Sequence, residues 1–394
     1  MRGFSMLRLM TVAGITFVGV ASLPAPTSGA AERPVDTAAL KRLAEQVEPG
    51  LQGDARRLAA YVDYFRHKLV SDIRLFAFSV TAEAEGSRGV RLAGYVEFPE
   101  TRAAIGEYLS ILGFEPVHNG LETLPAPELG DKRFGFIKSF NALSYAEPAE
   151  KEVVTDCLLG DHLFLLREED GRLLVHGGDG YIGWVAAEDV HRVEEAAFAE
   201  YLAGPRVFLL KNQESPGPGG FEAPAGGRLK FVRDEGDDYI VQLPDGNAGR
   251  VAKSHGELRH PPEARIDVIC DAAKELLNTP YLWGGKTKSG VDCSGLVQVS
   301  FASGGVSVPR DADEQCHMGQ LTGTRWSRAA MRRGDTLYFI NANGRVSHTG
   351  LYLGEDQFIH AVSPVVRINS FNPNDKNYDA ARDASFAFAR RLWE

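Results

Sequence analysis

The passage at 162–190, HLFLLREEDGRLLVHGGDGYIGWVAAEDV, and the passage at 227–258, GRLKFVRDEGDDYIVQLPDGNAGRVAKSHGEL, follow one plan. Each runs strand, acidic turn, strand, Asp-Gly turn and a final strand carrying Gly-x-Val, at Gly183-Trp184-Val185 and at Gly249-Arg250-Val251. Short apolar runs punctuated so closely by glycine leave no room for helices and predict two small all-β barrels. Their bounds are 136–195 and 203–258, with the Pro- and Gly-rich ESPGPGGFEAPAGG (214–227) as a long loop inside the second copy.

The segments on either side have another period. Leu40, Leu43 and Val47, then Leu58, Tyr61, Val62, Phe65 and Leu69, recur at helical intervals and predict two helices. RLFAFSVTAEA and GVRLAGYVEF follow as strands joined by a turn at Gly86 to Gly89, and ETRAAIGEYLSILGF returns to helical spacing and ends at Gly113. Residues 36–130 are expected to form a small α/β domain, which carries no catalytic motif. After the linker HPPEAR (260–265), helices are expected at 266–278 and 293–303, then strands at TLYFI, HTGLYLG, QFIHAV and SFAFARRLW. Helices first and antiparallel strands second make 262–394 an α+β domain.

A chain of 394 residues has room for two to four domains. Its net charge of -10 provides no basic footprint for nucleic acid, so no nucleic-acid partner is expected. Arg2 and Arg8 precede the apolar stretch LMTVAGITFVGVASL, and small residues stand at Ser28 and Ala30. That is the pattern of an export signal at 1–30 cleaved after Ala30, its apolar part too short to span a bilayer. The mature chain, with no later spanning segment, is expected in the periplasm or outside the cell. Its four cysteines (Cys157, Cys270, Cys293, Cys316) are too few for a disulfide framework.

Cys293 stands apart from the other three. It opens the apolar run CSGLV directly after Asp292, at the expected first turn of a helix, where unpaired backbone N–H groups and the helix dipole favour a thiolate. A nucleophile needs a base and the base an orienting partner. His348 and His360 qualify if their strands pair as a hairpin across Gly354 to Asp356, which brings both imidazoles to one face. Cys316-His317 adjoins this region, but with no Cys-x-x-Cys or His-x-x-x-His spacing neither a metal nor another cofactor is expected.

The ordered blocks TPYLWGG, DCSGLV, PRDADEQ, RRGDTLYF, VSHTGLYLG and FIHA, spanning about 262–394, resemble the NlpC/p60 family of papain-like cell-wall cysteine peptidases. With two upstream segments that resemble bacterial SH3-like domains, the chain is most similar to the γ-D-glutamyl-L-diamino acid endopeptidases of that family. The resemblance implies Cys293 as nucleophile, His348 as general base, His360 as the residue orienting it, and Tyr281 at the oxyanion site. It implies substrate contacts from Asp292, Ser294 and Asp311. It also implies that the first SH3-like domain recognises the free amine of an N-terminal L-Ala through Glu147 of AEPAEKE and Tyr181 of DGYIGW. A carboxylate beside an aromatic face suits an ammonium. The implied reaction is hydrolysis of the bond from γ-D-Glu to an L-diamino acid, diaminopimelate or Lys, in a peptidoglycan-derived peptide. The alternatives are an endopeptidase acting on intact peptidoglycan stems and a degenerate wall-binding scaffold. Arg333 stands where a proline commonly precedes Gly-Asp, and Ala312 where relatives often place a hydroxyl.

Overall fold

The computed structural model describes residues 34–392 except 71, 72, 74, 150, 151, 179, 215–220 and 260–262; the expected export signal lies outside the described residues. From Ala31 onward the chain is one compact unit. Among the described residues no helix is long and apolar enough to cross a membrane.

Helix α1 (Thr37–Val47) starts where the Asp36 carboxylate accepts the Ala39 N–H, and it buries Leu40, Leu43 and Ala44. Helix α2 (Leu58–Leu69) buries Leu58, Tyr61, Val62 and Phe65 from the spacing noted above. Helix α2 packs on an antiparallel hairpin, Phe78–Glu85 with Gly89–Val96, and α1 joins the same core by packing on the neighbouring helices. Helix α3 (Pro99–Ile111), opened by Pro99 at its first turn, adds Ile105, Tyr108 and Leu109 to the same core. The short strand Val117–Asn119 then returns parallel to Gly89–Val96.

The two expected barrels appear as two sheets with open edges. The first has seven strands in the order Val190–Val193, Phe134–Ile137, His162–Glu169, Arg172–Gly177, Ile182–Ala186, Asn141–Tyr145 and Val153–Leu158. Among the described residues its outer strands do not pair, so the expected barrel is not closed by a hydrogen-bonded ladder. The sheet instead curls around side chains drawn from every strand, among them Ile137, Ala142, Cys157, Leu163, Val175, Val185 and Val190, so apolar packing and not a closing ladder seals its interior. The weakest seam is between Ile182–Ala186 and Asn141–Tyr145, registered through Trp184 opposite Tyr145. The second sheet has five strands, also an open path, with Arg206–Leu209 between Arg228–Glu235 and Gly256–Arg259. Helix α4 (Glu195–Leu202) links the two sheets and was not foreseen; it inserts Phe198 and Tyr201 against Phe134 and Phe136.

Helix α5 (Glu263–Lys274) begins inside the segment read as a linker. Helix α6 (Cys293–Ser303) and the short helix α7 (Ala312–Gln315) follow. A six-stranded antiparallel sheet completes the chain in the order Gln320–Thr324, Phe386–Arg391, Thr336–Ile340, Val346–Gly354, Gln357–Val362 and Val365–Ser370, with helix α8 (Ala380–Ser385) before its last-formed strand. The strands at 320–324 and 365–370 were not expected.

The hydrophobic core ignores the boundaries read from the sequence. One cluster joins Phe76 and Phe98 of the first segment to Phe134, Phe164 and Phe198 of the β region and to Tyr338 and Phe388 of the last sheet. Polar ties cross the same seams: Arg325 holds Glu100 of α3 through two bonds of 2.8 and 2.9 Å, and the His162 ring meets the Leu321 carbonyl at 2.6 Å. Gly180 is possible only as glycine, since a Cβ there would sit 2.0 Å from Nη1 of the fully buried Arg390.

Candidate active site

Asp292 builds the entrance to α6. One carboxylate oxygen caps the helix by accepting the Gly295 N–H at 2.7 Å, and the other accepts the Gly284 N–H at 2.7 Å, tying down the loop that follows Tyr281. Arg310 closes the arrangement with a fork onto the same carboxylate at 3.0 and 2.6 Å and a bond of 2.8 Å to Ser294 Oγ. These bonds hold the Asp292 carboxyl below the usual range although its burial pushes the other way. Gly295 permits the close approach of loop and helix, because a Cβ would lie 2.3 Å from the Gly285 carbonyl oxygen. Cys293 therefore occupies the first turn of a helix pinned from two sides.

The apposed surface is the strand Val346–Gly354, on which α6 packs. The backbone N–H of Thr349, the residue after His348, points to the Cys293 thiol, as do those of Ser294 and of Cys293 itself. Burial nevertheless dominates and pushes the thiol up. This corrects the expectation that the helix terminus lowers it. Dehydration of a thiolate outweighs the dipole here.

The hairpin forms as expected, with Glu355 and Asp356 in the left-handed region at its turn and Leu351 opposite Ile359. It brings His348 Nε2 within 2.8 Å of His360 Nδ1. Asn369, on the neighbouring strand, completes the line with Oδ1 2.9 Å from His360 Nε2. Proton positions along the line follow from donor and acceptor chemistry. The Asn377 carbonyl can only accept, so the Asn369 group 3.0 Å from it is the amide nitrogen and Oδ1 faces His360. That oxygen also only accepts, so His360 carries its proton on Nε2 and presents a lone pair at Nδ1. His348 must then donate from Nε2, leaving its Nδ1 unprotonated. The unprotonated nitrogen of His348 is thus set by a chain of four residues.

Burial, reinforced by the Arg382 and His360 charges, holds His348 well below the usual imidazole range, and burial brings His360 down to about 4 against the opposing pull of its bond to Asn369. These directions, the thiol pushed up and both imidazoles pulled down, favour the neutral form of each group.

Tyr281 lies in the loop before α6, where its backbone bridges to Val291. Burial raises its phenol, and the charges of Cys293 and Asp292 add to the rise, which places the hydroxyl in the electrostatic neighbourhood of the thiol. Ser294 is nearly buried, its hydroxyl held by Arg310 and its carbonyl accepting from Gln315 Nε2 at 3.1 Å. Asp311 is exposed at the start of α7, beside Arg310. Glu147 is exposed in the connection between Asn141–Tyr145 and Val153–Leu158, and Tyr181 is half-buried just before Ile182–Ala186, where its carbonyl accepts the Gly177 N–H at 2.8 Å. The structure thus gathers Cys293, Asp292 and Ser294 on α6 and His348 with His360 on the hairpin. Sequence reasoning missed Arg310, Asn369 and Gln315. Arg310 and Gln315 lie inside the block PRDADEQ, whereas Asn369 falls in a polar stretch without periodic signal.

Two family profiles match the chain: the NlpC/P60 family over residues 278–382 and the bacterial dipeptidyl-peptidase SH3 domain over residues 144–190. The γ-D-glutamyl-L-lysine dipeptidyl-peptidase of Bacillus cereus (strain ATCC 10987 / NRS 248) is 26% identical over 227 residues, 52% of this chain and 66% of that protein. The murein DD-endopeptidase MepS/murein LD-carboxypeptidase of Escherichia coli (strain K12) is 40% identical over 119 residues, 29% of this chain and 60% of that protein. This chain spans less than two thirds of either relative. The crystal structure of an NlpC/P60 family protein from Bacillus cereus ATCC 10987 aligns at 21% identity over 66% of this chain and 100% of that one, with a TM-score of 0.30, too low to bear on the arrangement described above. The SH3 match covers the first of the two expected copies. The chain carries an NlpC/P60 family domain over residues 278–382 and, upstream of it, a bacterial SH3 domain over residues 144–190.

Proposed function

We propose that the chain is a cysteine endopeptidase that hydrolyses the bond from γ-D-Glu to an L-diamino acid in peptidoglycan-derived peptides with a free N-terminal L-Ala. The observation that carries this reading is the hydrogen-bonded line from Asn369 through His360 to His348, next to the Thr349 N–H that faces the Cys293 thiol. His348 Nδ1 takes the thiol proton as Sγ attacks the γ-glutamyl carbonyl. The new C–S bond forms a tetrahedral intermediate whose oxyanion is met by the Cys293 N–H and the Tyr281 hydroxyl. His348 returns the proton to the departing amine, the C–N bond breaks, and water hydrolyses the thioester with His348 again as base. His360 keeps the imidazole in its productive tautomer.

In the same reading Asp292, Ser294 and Asp311 line the glutamyl side of the cleft. Asp292 acts there mainly by positioning Arg310, because both of its oxygens are already engaged. Glu147 and Tyr181 meet the ammonium of L-Ala, which selects released peptides over stems still attached to sugar. The names of the two relatives, a γ-D-glutamyl-L-lysine dipeptidyl-peptidase and a murein endopeptidase, support peptide hydrolysis in the cell wall as the setting, and export to the periplasm or exterior accords with it. The test is product analysis with L-Ala-γ-D-Glu-diaminopimelate, free or acetylated at its amine. Release of L-Ala-γ-D-Glu from the free peptide alone is expected. Equal cleavage of both forms counts against the roles of Glu147 and Tyr181, and cleavage of neither counts against the activity.

A further inference from the structure

The segment before the SH3 region carries no catalytic motif, yet it touches the turn that leads to His348. That turn, between Thr336–Ile340 and Val346–Gly354, is stapled from within. Asn341 Oδ1 accepts the N–H groups of Asn343 and Arg345 at 3.0 and 3.1 Å, and the Asn341 carbonyl accepts the Gly344 N–H at 3.1 Å. Residues tied in this way shift together. The turn rests on the first segment at two points. Asn343 Oδ1 accepts the N–H of Asp36, at the start of α1, at 3.3 Å. Gly344 lies against the first turn of α3, so closely that a Cβ there would sit 2.3 Å from the Thr101 hydroxyl oxygen. Thr101 is itself buried, and its side chain has little room to withdraw. On either side of the turn Ile340 and Val346 share one apolar cluster with Phe76 and Phe98.

The seating of the turn is felt at His348. Ile340 pairs with Val346 and Phe339 with His348, so the ladder skips Ser347. An extra residue of this kind bends its strand and re-aims the side chain beside it, which makes the direction of His348 depend on where the turn sits. The Cys293 half of the site has its own tie to the first segment. Phe76 packs on Phe388 with ring centres 5.7 Å apart, Phe388 packs on Tyr338 at 5.4 Å, and the Tyr338 hydroxyl donates to the Gln315 carbonyl at 2.9 Å. Gln315 in turn holds the Ser294 carbonyl next to Cys293. One segment thus bears on both the thiol and the imidazole.

We infer that residues 36–130 act as a brace that sets His348 against Cys293, with Thr101 and Gly344 as positioning residues; the inference rests on the proposed hydrolytic function. The test is steady-state kinetics of the whole chain on L-Ala-γ-D-Glu-diaminopimelate. Gly344→Ala drives a methyl group into Thr101 and should lower kcat about 10- to 100-fold with KM changed by less than about twofold, because the turn displaces a reacting group and touches no substrate. Thr101→Leu presses on the turn from the other side, with no change at a glycine, and should lower kcat in the same way. Gly344 has a φ of +85°, which by itself disfavours alanine, so a control for backbone strain is needed. Gly86→Ala supplies it: φ is +67° there, but a Cβ meets nothing within 4 Å, and kcat should stay at the wild-type value. Combining Gly344→Ala with Thr101→Ala removes the collision, keeps the strain, and should restore kcat to within about threefold of wild type. Wild-type kcat in Gly344→Ala and Thr101→Leu, or a double variant as slow as Gly344→Ala, overturns the brace and leaves the hydrolytic reading standing. A folded wild-type protein that does not cleave the peptide overturns both.

Discussion

Replacing Asn369 by Ala tests the proton line at its far end. The side chain accepts from His360 Nε2 at 2.9 Å, and His360 is fully buried, so no water replaces the lost acceptor. A buried N–H left unpaired costs about 1 to 3 kcal/mol. His360 can escape that cost by moving its proton to Nδ1, but Nδ1 then confronts the Nε2–H of His348 across 2.8 Å. Relief requires His348 to shift its own proton to Nδ1, the nitrogen that must be empty to accept the thiol proton. If the productive tautomer loses about 1.4 kcal/mol relative to the other, its share falls about tenfold. Steady-state kinetics on the free γ-glutamyl peptide should show kcat reduced about tenfold, within a range of roughly 5 to 30. KM should be nearly unchanged, because Asn369 touches no substrate. Asn369→Asp retains an acceptor at the same place and should recover most of the rate. An Ala variant with wild-type kcat, a loss confined to KM, or an Asp variant as slow as the Ala variant would refute the relay.

Three further outcomes follow from the same structure. The Cys293 thiol is pushed up and His348 held well below 6.5, so kcat/KM should be flat between about pH 6.5 and 8.5; a rise tracking thiolate formation through that interval would contradict a resting thiol. Asp292→Ala removes a helix cap and one partner of a nearly buried ion pair, and should cost about 3 kcal/mol in denaturant unfolding together with most of the activity; a loss below about 1 kcal/mol counts against the clamp. Glu97 and His176 lie 3.9 Å apart at the junction of the first segment and the seven-stranded sheet, with burial raising Glu97 to about 7 and lowering His176 to about 3. Stability from the protonated Glu97 is complete below about 4.5 and lost as pH rises through about 7, roughly 3 kcal/mol in all. That from the neutral His176 is complete above 6.5 and lost as pH falls towards about 3. The two contributions run in opposite directions and nearly cancel between about pH 4.5 and 6.5, so the wild-type urea midpoint should be nearly flat there whereas that of Glu97→Gln should rise with pH, and a variant as flat as the wild-type protein would exclude Glu97 as the opposing group.

What could be read from the sequence was local. Asp292 before an apolar run signals a capped helix, and α6 spans the residues expected for it. Alternation in HTGLYLG and QFIHAV, with a turn between, places two histidines on paired strands, and they meet. The remainder depends on contacts that no spacing encodes. Arg310 reaches Asp292 across a loop, and the register that sets Asn369 diagonal to His360 comes from the pairing of His360 with Arg367 on a strand that lacks a periodic pattern. The open sheets differ from the expected barrels because strand number and turns specify hairpins, whereas closure depends on whether the outermost strands find each other. The shared core was invisible for a similar reason. Phe76, Phe134 and Phe388 each look like an ordinary interior residue of its own segment, and only the packing shows that they belong to one cluster.

The most direct test of the central claim is mass spectrometry of the whole chain quenched in acid during turnover of L-Ala-γ-D-Glu-diaminopimelate, with proteolytic mapping of any adduct. An L-Ala-γ-D-Glu acyl group on Cys293 is the expected result, accumulating in the wild-type protein and absent from Cys293→Ala, which should not hydrolyse the peptide. Hydrolysis by Cys293→Ala, or an acyl group mapped to another residue, would contradict the assignment of Cys293 as nucleophile.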